Sequence, residues 1–381
     1  MKKRSKGWKI EIGGNWMLAI GLMSGTSLDG VDVALIETNG EKQVKPLNFA
    51  SYPYSDTDKA CLREACRRAL TMAAPCFIPE DEVIYQAEHI VTLRHIQAVK
   101  DFLKKNALGN QAIKVIGFHG QTIAHRPDLG WTWQIGDGAA LAQATKISVV
   151  DDFRSHDVQA GGEGAPLLPI YHWALFSEAS HPLAVLNLGG IANITWIGAD
   201  ENDLIACDTG PANGMIDDWV KAKTGLDYDE SGLIASKGVV HHDLVDAMMS
   251  QKFFSQLPPK SLDRSDFSIE AVANLSIEDG AATLTAFTAE SVARSLSFFP
   301  ERPSKIIVAG GGRHNVTMMK MLHDSLKMPV QPIEDFHLNG DATEAEGFAY
   351  LAVRRVFNKP ISFPKTTGVP HPMTGGRIHY I

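Results

Sequence analysis

The feature that most constrains the fold is a glycine-rich turn between two short apolar runs near the N-terminus. Apolar residues 17–22 lead into the turn and an alternating run over 31–36 leads out, a pattern typical of a β-hairpin. Glycine allows a close approach of ligand to backbone, and consecutive free N–H groups bind anions. The turn therefore suggests a phosphate cradle with Asp29 or Asp32 available to a metal ion, although a plain hairpin with a polar turn explains the same pattern.

A second hairpin with a glycine tip opens the second half of the chain. Its arms are predicted over 183–188 and 191–197, on either side of Gly189-Gly190. Strands and helices alternate after each hairpin, including a long amphipathic helix over 79–105. This organisation predicts an α/β protein with two related domains and a cleft between them.

Composition narrows the class of protein. The chain has 381 residues, of which 44% are apolar and 21% charged, with a net charge of -8. Such a chain can bury a large core, and its charge argues against a general nucleic-acid partner. We expect no membrane partner either, because no apolar run is long enough to span a bilayer. Four cysteines without a CxxC pair favour a reducing cytoplasm, and residues 1–16 are predicted to be a disordered extension.

Polar, glycine-rich loops follow several predicted strands. They contain His119 and Gln121, Arg154, the glycine-dense segment 160–166, and the segments 208–213 and 310–315. No P-loop, HExxH, GxSxG or GxGxxG motif accompanies them. Loops of this kind suit phosphoryl transfer, in which the protein mainly positions phosphates, metal and nucleophile.

Three helix starts can be predicted from local pattern. Pro211 suits the first turn of a helix that Thr209 or Asp208 would cap. Thr343 and Glu346 have the spacing of a capping box at the start of the last helix, and Glu344 lies between them. Asn315 is the predicted cap of a helix that follows the glycine triplet 310–312.

As a set, these motifs resemble the anhydro-N-acetylmuramic acid kinases, bacterial sugar kinases of the actin/hexokinase/Hsp70-like ATPase superfamily. The resemblance extends from Gly21 to about Ala352 in the family's order. The matching stretches are 21–32, 117–122, 152–154, 161–167, 187–193, 208–213, 258–261, 310–315 and 344–352.

The resemblance implies two actin/hexokinase-like (ribonuclease H-like) domains with ATP in the cleft. We expect a first domain over 17–150, a second over 151–341, and a C-terminal helix and tail over 342–381 that pack back across the cleft. The implied reaction uses ATP and water to convert 1,6-anhydro-N-acetylmuramic acid to N-acetylmuramic acid 6-phosphate during cell-wall recycling. ATP and Mg²⁺ are the implied cofactors, and a homodimer is the implied assembly.

The resemblance also implies roles for individual residues. The expected phosphate and adenosine contacts are Gly25, Thr26, Ser27, Leu28, Asp29, Gly30, Val31, Asp32, Gly189, Gly190, Asn193, Gly310, Gly311, Gly312 and Asn315. Asp29 and Asp32 would contact the metal, directly or through water. His119, Gln121, Arg154 and Asn213 would bind the sugar, Arg154 through its lactyl carboxylate.

The expected catalytic residues are Asp208, as the general base for water, and Glu344, which would position the water or the sugar. Each has a structural alternative: a helix cap for Asp208, a favourable first-turn charge for Glu344, a surface ion pair for Arg154 and a structural role for His119. A kinase of an ordinary amino sugar, or an ATP-binding chaperone or filament protein, is the alternative function. The chain departs from the family pattern at Glu163 and Arg313, among other positions.

Overall fold

Two β-sheets of the same basic topology form the framework of the protein. The computed structural model describes residues 16–76, 80–262 and 266–381. In each sheet a three-stranded antiparallel meander is extended by parallel strands next to its first strand. The predicted duplicated α/β architecture is confirmed, whereas the prediction for residues 1–16 falls outside the described residues except at Trp16.

The first sheet has the strand order β12-β6-β4-β1-β2-β3, and β5 pairs with β4. Strands β4 and β6 run parallel to β1, and the other pairings are antiparallel. Its strands are β1 (Met17–Ser24), β2 (Gly30–Thr38), β3 (Val44–Pro53), β4 (Val115–Arg126), β5 (Trp131–Ile135), β6 (Val149–Asp151) and β12 (Arg377–His379).

The second sheet repeats the arrangement in the order β11-β10-β7-β8-β9. Strands β7, β8 and β9 form the antiparallel meander, and β10 and β11 continue it in parallel. Its strands are β7 (Leu183–Leu188), β8 (Ile191–Ile197), β9 (Leu204–Pro211), β10 (Ile306–Ala309) and β11 (Val330–Pro332).

Helices cover both outer faces of the sheets and fill the space between them. The helices are α1 (Asp56–Ala69), α2 (Glu82–Lys105), α3 (Gly138–Thr145), α4 (Ser155–Gln159), α5 (Pro169–Leu175), α6 (Asn213–Thr224), α7 (His242–Met249), α8 (Ile277–Ser295), α9 (Val316–Leu326) and α10 (Thr343–Val356). One core lies under α1–α3, another under α6–α9, and α5 and α10 belong to a third core shared by the two sheets. No described helix is long and apolar enough to cross a membrane.

Helix α10 packs unusually close to the first sheet. A Cβ atom at Gly21 would collide with the carbonyl oxygen of Ala345, and one at Gly117 with that of Phe348. Gly21 on β1 is paired with Gly117 on β4, so the two glycines together form the surface on which the helix packs. The first glycine of the N-terminal motif therefore serves helix packing.

Two predicted helix starts are wrong. The predicted capping box is absent, because Ala342 is the N-cap of α10 and no side chain caps it. Instead, Thr343 Oγ1 donates to the carbonyl of Asn339, and Glu346 accepts a hydrogen bond from Tyr171 Oη at 2.6 Å. A favourable tertiary partner outweighed the local capping pattern.

Helix α6 begins at Asn213, two residues later than the pattern at Pro211 predicts. Strand β9 continues through Asp208 and Thr209 to Pro211, so neither side chain caps a helix. Thr209 Oγ1 donates to the carbonyl of Ala192 on β8. The predicted cap at Asn315 is confirmed, since its side chain accepts from the Met318 N–H.

Candidate active site

A cavity of about 100 Å³ lies where the ends of β6, β7, β9 and β10 meet helix α10. Side chains from widely separated parts of the chain line it. The polar ones are Arg154, His172, Asn187, Asn193, Asp208, Thr343 and Glu344. The structure thus brings together four of the residues singled out by sequence, Arg154, Asn193, Asp208 and Glu344, and adds His172, Asn187 and Thr343, which sequence reasoning did not place in the site.

Asp208 is a buried carboxylate held by backbone. Its Oδ2 accepts from the Leu262 N–H at 2.8 Å, and its own N–H donates to the Lys260 carbonyl at 3.0 Å. Burial raises the pKa of Asp208 to about 7, and the charge of Glu163 adds to the rise while Arg154 and Lys260 oppose it. A carboxylate with a pKa near neutrality is suited to accepting a proton.

Glu344 lines the same cavity from the first turn of α10. Burial and the nearby charge of Asp32 raise the pKa of Glu344, and Arg154 counteracts them. Asp32 is in a similar state on β2: burial raises its pKa to about 6, with contributions from Asp341 and Asp29. The charge of Asp32 therefore interacts with those of Glu344, Asp341 and Asp29.

Arg154 is fixed by two hydrogen bonds within the protein. Its Nη1 donates to the Gly164 carbonyl at 2.8 Å, and its Nε donates to His119 Nε2 at 3.1 Å. Burial lowers the pKa of Arg154, and Glu344, Asp157 and Asp208 counteract this. A guanidinium held in this way is preorganised to receive an anionic group.

His119 and Gln121 both form hydrogen bonds within the protein. His119 Nδ1 donates to the Gly120 carbonyl, since its Nε2 accepts from Arg154. Burial lowers the pKa of His119 well below its usual range, which keeps the ring neutral. Gln121 accepts from Ser24 Oγ at 2.5 Å and donates to the Gly25 carbonyl at 3.2 Å. Both side chains support their neighbours, and for His119 this structural role was one of the alternatives in the sequence.

The first glycine turn presents its polar residues to solvent and buries its apolar ones. Thr26, Ser27 and Asp29 are exposed, whereas Leu28 and Val31 belong to the core under α1–α3. Leu28 adopts a φ of 61°, and its N–H donates to the Gly25 carbonyl. Any contact of Leu28 or Val31 with a phosphate would therefore involve backbone.

The side chains at this turn could hold a divalent cation only if a bound ligand supplied further oxygen atoms. Among the described residues, no group of three His, Cys, Asp or Glu side chains is arranged to hold a metal. Asp29 is exposed and 3.9 Å from Lys59 Nζ, and Asp32 is partly buried among other carboxylates. One or two carboxylates plus phosphate oxygens and waters are the usual environment of Mg²⁺.

The second glycine turn and the glycine triplet lie beside each other. The carbonyls of Gly189 and Gly190 accept the N–H groups that begin α6, including that of Asn213. Asn213 Nδ2 donates to the Leu188 carbonyl, and the side chain lies next to Gly311 and Gly312. Asn213 therefore lies at the triplet, whereas Asn193 lines the cavity.

Arg313 locks the glycine triplet in place. Its side chain is 2% exposed and forms ion pairs with Glu334 at 2.8 Å and Asp341 at 2.9 Å. Its Nη1 also donates to the carbonyl of Gly310, whose φ of 77° favours glycine. This departure from the family pattern is thus accommodated beneath the loop.

A larger cavity of about 360 Å³ adjoins His119 on the side of β5 and α4. Trp131, Trp133, Asp151 and Asp152 are among its lining residues. Asp151 is already paired with Arg377 and His379. Asp208 and Glu344, the expected catalytic residues, line the smaller cavity instead.

The repeated sheets, the glycine turns at their edges and the carboxylate-lined cavity define a duplicated α/β protein with two related sheets. The sequence model of the anhydro-N-acetylmuramic acid kinase family matches residues 17–381, and the chain belongs to that family.

Full-length relatives carry the same family name. A protein from Rhizorhabdus wittichii named anhydro-N-acetylmuramic acid kinase is 57% identical over 363 residues, covering 95% of this chain and 99% of the relative. A protein of the same name from Paramagnetospirillum magneticum is 48% identical over 366 residues, with coverages of 95% and 99%.

Solved structures of distant proteins align over most of the chain at low identity. Component A of (R)-2-hydroxyglutaryl-CoA dehydratase from Acidaminococcus fermentans superposes with a TM-score of 0.49 at 9% identity, covering 90% of this chain and 99% of that one. A ROK hexokinase from Thermus thermophilus gives 0.39 at 12% identity, with coverages of 89% and 100%. These similarities concern the fold alone.

Proposed function

We propose that the protein is an ATP-dependent kinase that opens 1,6-anhydro-N-acetylmuramic acid with water and phosphorylates O6, in cell-wall recycling. Family membership over residues 17–381 supports the activity. The observation that carries the assignment of the site is the meeting of Asp208, Arg154 and Glu344 in one cavity. The kinase of an ordinary amino sugar and the chaperone or filament protein are not favoured, because the full-length relatives are named anhydro-sugar kinases.

Asp208 takes a proton from the attacking water in this mechanism. The water oxygen bonds to C1 and the C1–O6 bond breaks. O6 then bonds to the γ-phosphorus of ATP, and ADP leaves with the electrons of the broken P–O bond. The raised pKa of Asp208 lets the carboxylate hold the proton after it has been transferred.

Arg154 receives the lactyl carboxylate of the sugar, and His119 and Gly164 hold its guanidinium in position. Glu344, which lines the same cavity, orients the water or a sugar hydroxyl. Thr343 and Asn193 supply further polar contacts to the sugar. Burial of these groups strengthens their electrostatic interactions with the substrate.

The phosphates lie between the two glycine turns, with Thr26 and Ser27 at one turn and Gly189 and Gly190 at the other. Gly310–Gly312 and Asn213 flank the adenosine. Asp32, with Asp29, would hold Mg²⁺ directly or through water, and the ion would neutralise phosphate charge. Gln121 fixes the first turn through Ser24 and Gly25.

The proposal also places the enzyme in the cytoplasm as a homodimer. Its four cysteines are free thiols, which supports a reducing compartment. The domain division at 150 and 341 belongs to the same proposal. Sedimentation velocity with and without ATP would test the assembly.

Product analysis in oxygen-18 water tests the reaction. We expect ADP release with the anhydro sugar and one heavy oxygen on C1 of the phosphorylated product. N-acetylmuramic acid and N-acetylglucosamine, offered under the same conditions, serve as controls that need no ring opening. Equal turnover of those free sugars, or a product without label, would reject the proposed reaction.

A further inference from the structure

The segment 258–262, here called the strap, contains the family-matching stretch 258–261 and lies against Asp208. The backbone groups on both sides of Ser261 contact Asp208. The Lys260 carbonyl accepts from the Asp208 N–H at 3.0 Å, and the Leu262 N–H donates to Asp208 Oδ2 at 2.8 Å. The position of the strap therefore decides whether the carboxylate keeps its hydrogen bond.

Lys260 anchors one side of the strap in an aromatic clamp. Its Nζ lies 4.1 Å from the ring centroid of Phe253 and 4.7 Å from that of Phe298, and it donates to the Phe253 carbonyl. Such contacts with partly desolvated cations stabilise a fixed conformation. The Lys260 side chain thus holds the strap through contacts that do not involve Asp208.

Ser261 attaches the strap to the glycine-dense loop. Its Oγ donates to Glu163 Oε2 at 2.5 Å, and the Glu163 N–H donates to the Thr367 carbonyl at 2.6 Å. The next residue, Gly164, accepts from Arg154 Nη1 and donates to Asp157 Oδ1. One short loop therefore contacts both the strap and the guanidinium.

We infer that Ser261 and Glu163 are positioning residues. They hold the strap against Asp208 and so couple the Asp208 carboxylate to the glycine-dense loop that contacts Arg154. The inference rests on the proposed function, since it gives Asp208 and Arg154 their roles as base and sugar-binding group. A sugar carboxylate that settles on Arg154 would, through Gly164, fix Glu163 and with it the strap. Neither Ser261 nor Glu163 needs to touch the reacting atoms.

Charge supports the same assignment. The charged groups that act on Asp208 are Glu163, Arg154 and Lys260, and burial is the largest influence on its pKa. Glu163 raises the pKa of Asp208, and the two cations lower it. Replacing Glu163 by glutamine keeps an oxygen that accepts from Ser261 but removes this charge.

Kinetics of the full-length enzyme with ATP and the anhydro sugar test the hydrogen bond. We expect Ser261→Ala and Glu163→Ala each to lower kcat about tenfold, as for loss of a hydrogen bond to a charged group, with the KM for ATP unchanged. The double variant should be no slower than either single variant, because both remove one contact. Ser261→Thr should restore kcat, and Ser255→Ala, which removes an exposed hydroxyl elsewhere, is the matched control.

The pH profile tests the charge. In Glu163→Gln the acid limb of kcat should move to lower pH, because the base loses a neighbouring negative charge, while kcat on the plateau stays within about twofold of the wild type. Additive losses in the alanine double variant, or an acid limb that stays in place, would overturn the inference. Asp208→Asn separates the two levels: if that variant stays active, the proposed base is wrong, whereas an inactive Asp208→Asn with unaffected Ser261→Ala rejects the strap alone.

Discussion

Asp208 and Glu346 are two buried carboxyl groups with the same pKa and different surroundings. Burial raises the pKa of each to about 7. Asp208 lines the cavity between the sheets and is held by a backbone N–H. Glu346 lies between α5 and α10, where Tyr171 Oη donates to its Oε2 at 2.6 Å.

The difference shows that a perturbed pKa alone does not identify a catalytic group. A buried carboxyl group is poised to exchange protons near neutral pH wherever it lies. Of the two, Asp208 is the one that combines that property with access to a cavity, which Arg154 and Glu344 also line. Glu346 instead joins two helices of the core shared by both sheets.

Asp208→Asn should produce the largest effect. The amide keeps the shape and the hydrogen bond from Leu262 but cannot accept the proton of water, so kcat should fall about a thousandfold. ADP release with the anhydro sugar measures the rate, and calorimetric titration with ATP checks that nucleotide binding is retained. Turnover close to that of the wild type would remove the distinction between the two carboxyl groups.

Arg154→Ala should act on the sugar and on Asp208 but not on Glu346. Loss of the guanidinium should raise the KM for the sugar by about tenfold or more, as for loss of a charge-assisted hydrogen bond. It should also move the acid limb of kcat to higher pH, because Arg154 lowers the pKa of Asp208. Arg154→Lys is the control that keeps charge without the two-pronged geometry.

A KM for the sugar that is unchanged in Arg154→Ala would contradict its role in substrate binding. The KM for ATP should stay as in the wild type. The dependence of thermal stability on pH that comes from Glu346 should also persist, because Arg154 is not among the groups that shift its pKa.

Much of the framework could be predicted from the sequence, because it depends on short-range patterns. The hairpins over 17–38 and 183–197 follow from apolar runs and glycine turns, and the cap at Asn315 from a local hydrogen bond. The meeting of Arg154, Asp208 and Glu344 needed a resemblance to a known family. Nothing local in the sequence says that these three segments share a cavity.

The failures share one cause. Thr343 and Glu346 fit a capping pattern, but Tyr171 lies 175 residues away in the chain and offers the glutamate a better partner. Thr209 and Asp208 fit a helix start, but pairing with β8 extends β9 through both of them. Tertiary contacts decided these positions, and a local pattern does not contain them.

Glu346→Gln should flatten the pH dependence of stability and leave kcat within about twofold. The pKa of Glu346 is raised from an ordinary 4.5 to about 7 in the folded protein. The folded state therefore binds the proton more tightly, so this group stabilises the protein below pH 4.5 and its contribution is lost as pH rises through 7. Glutamine does not titrate, so the variant does not lose stability in this way as the pH rises.

Thermal unfolding at several pH values between 5 and 8 measures the effect. The Tm of Glu346→Gln should rise relative to the wild type as pH increases, and the difference at pH 8 should be at least about 2 °C. Glu178→Gln, on an exposed side chain, is the control. Parallel curves for the wild type and Glu346→Gln would mean that the glutamate does not titrate in this range.

Tyr171→Phe should give the smallest effect and the sharpest distinction. Above pH 7 the ionised Glu346 loses its phenol donor, which should destabilise the protein by about 1–2 kcal/mol. At pH 5 the carboxyl group is protonated and the cost should be smaller, because no buried charge loses its partner. In a Tyr171→Phe/Glu346→Gln double variant the cost of losing the phenol should be smaller above pH 7 than in the wild-type background, since no buried charge then loses its donor. Turnover should remain within about twofold throughout, and a fall in kcat without a change in Tm would mean that this pair, like Asp208, takes part in the reaction.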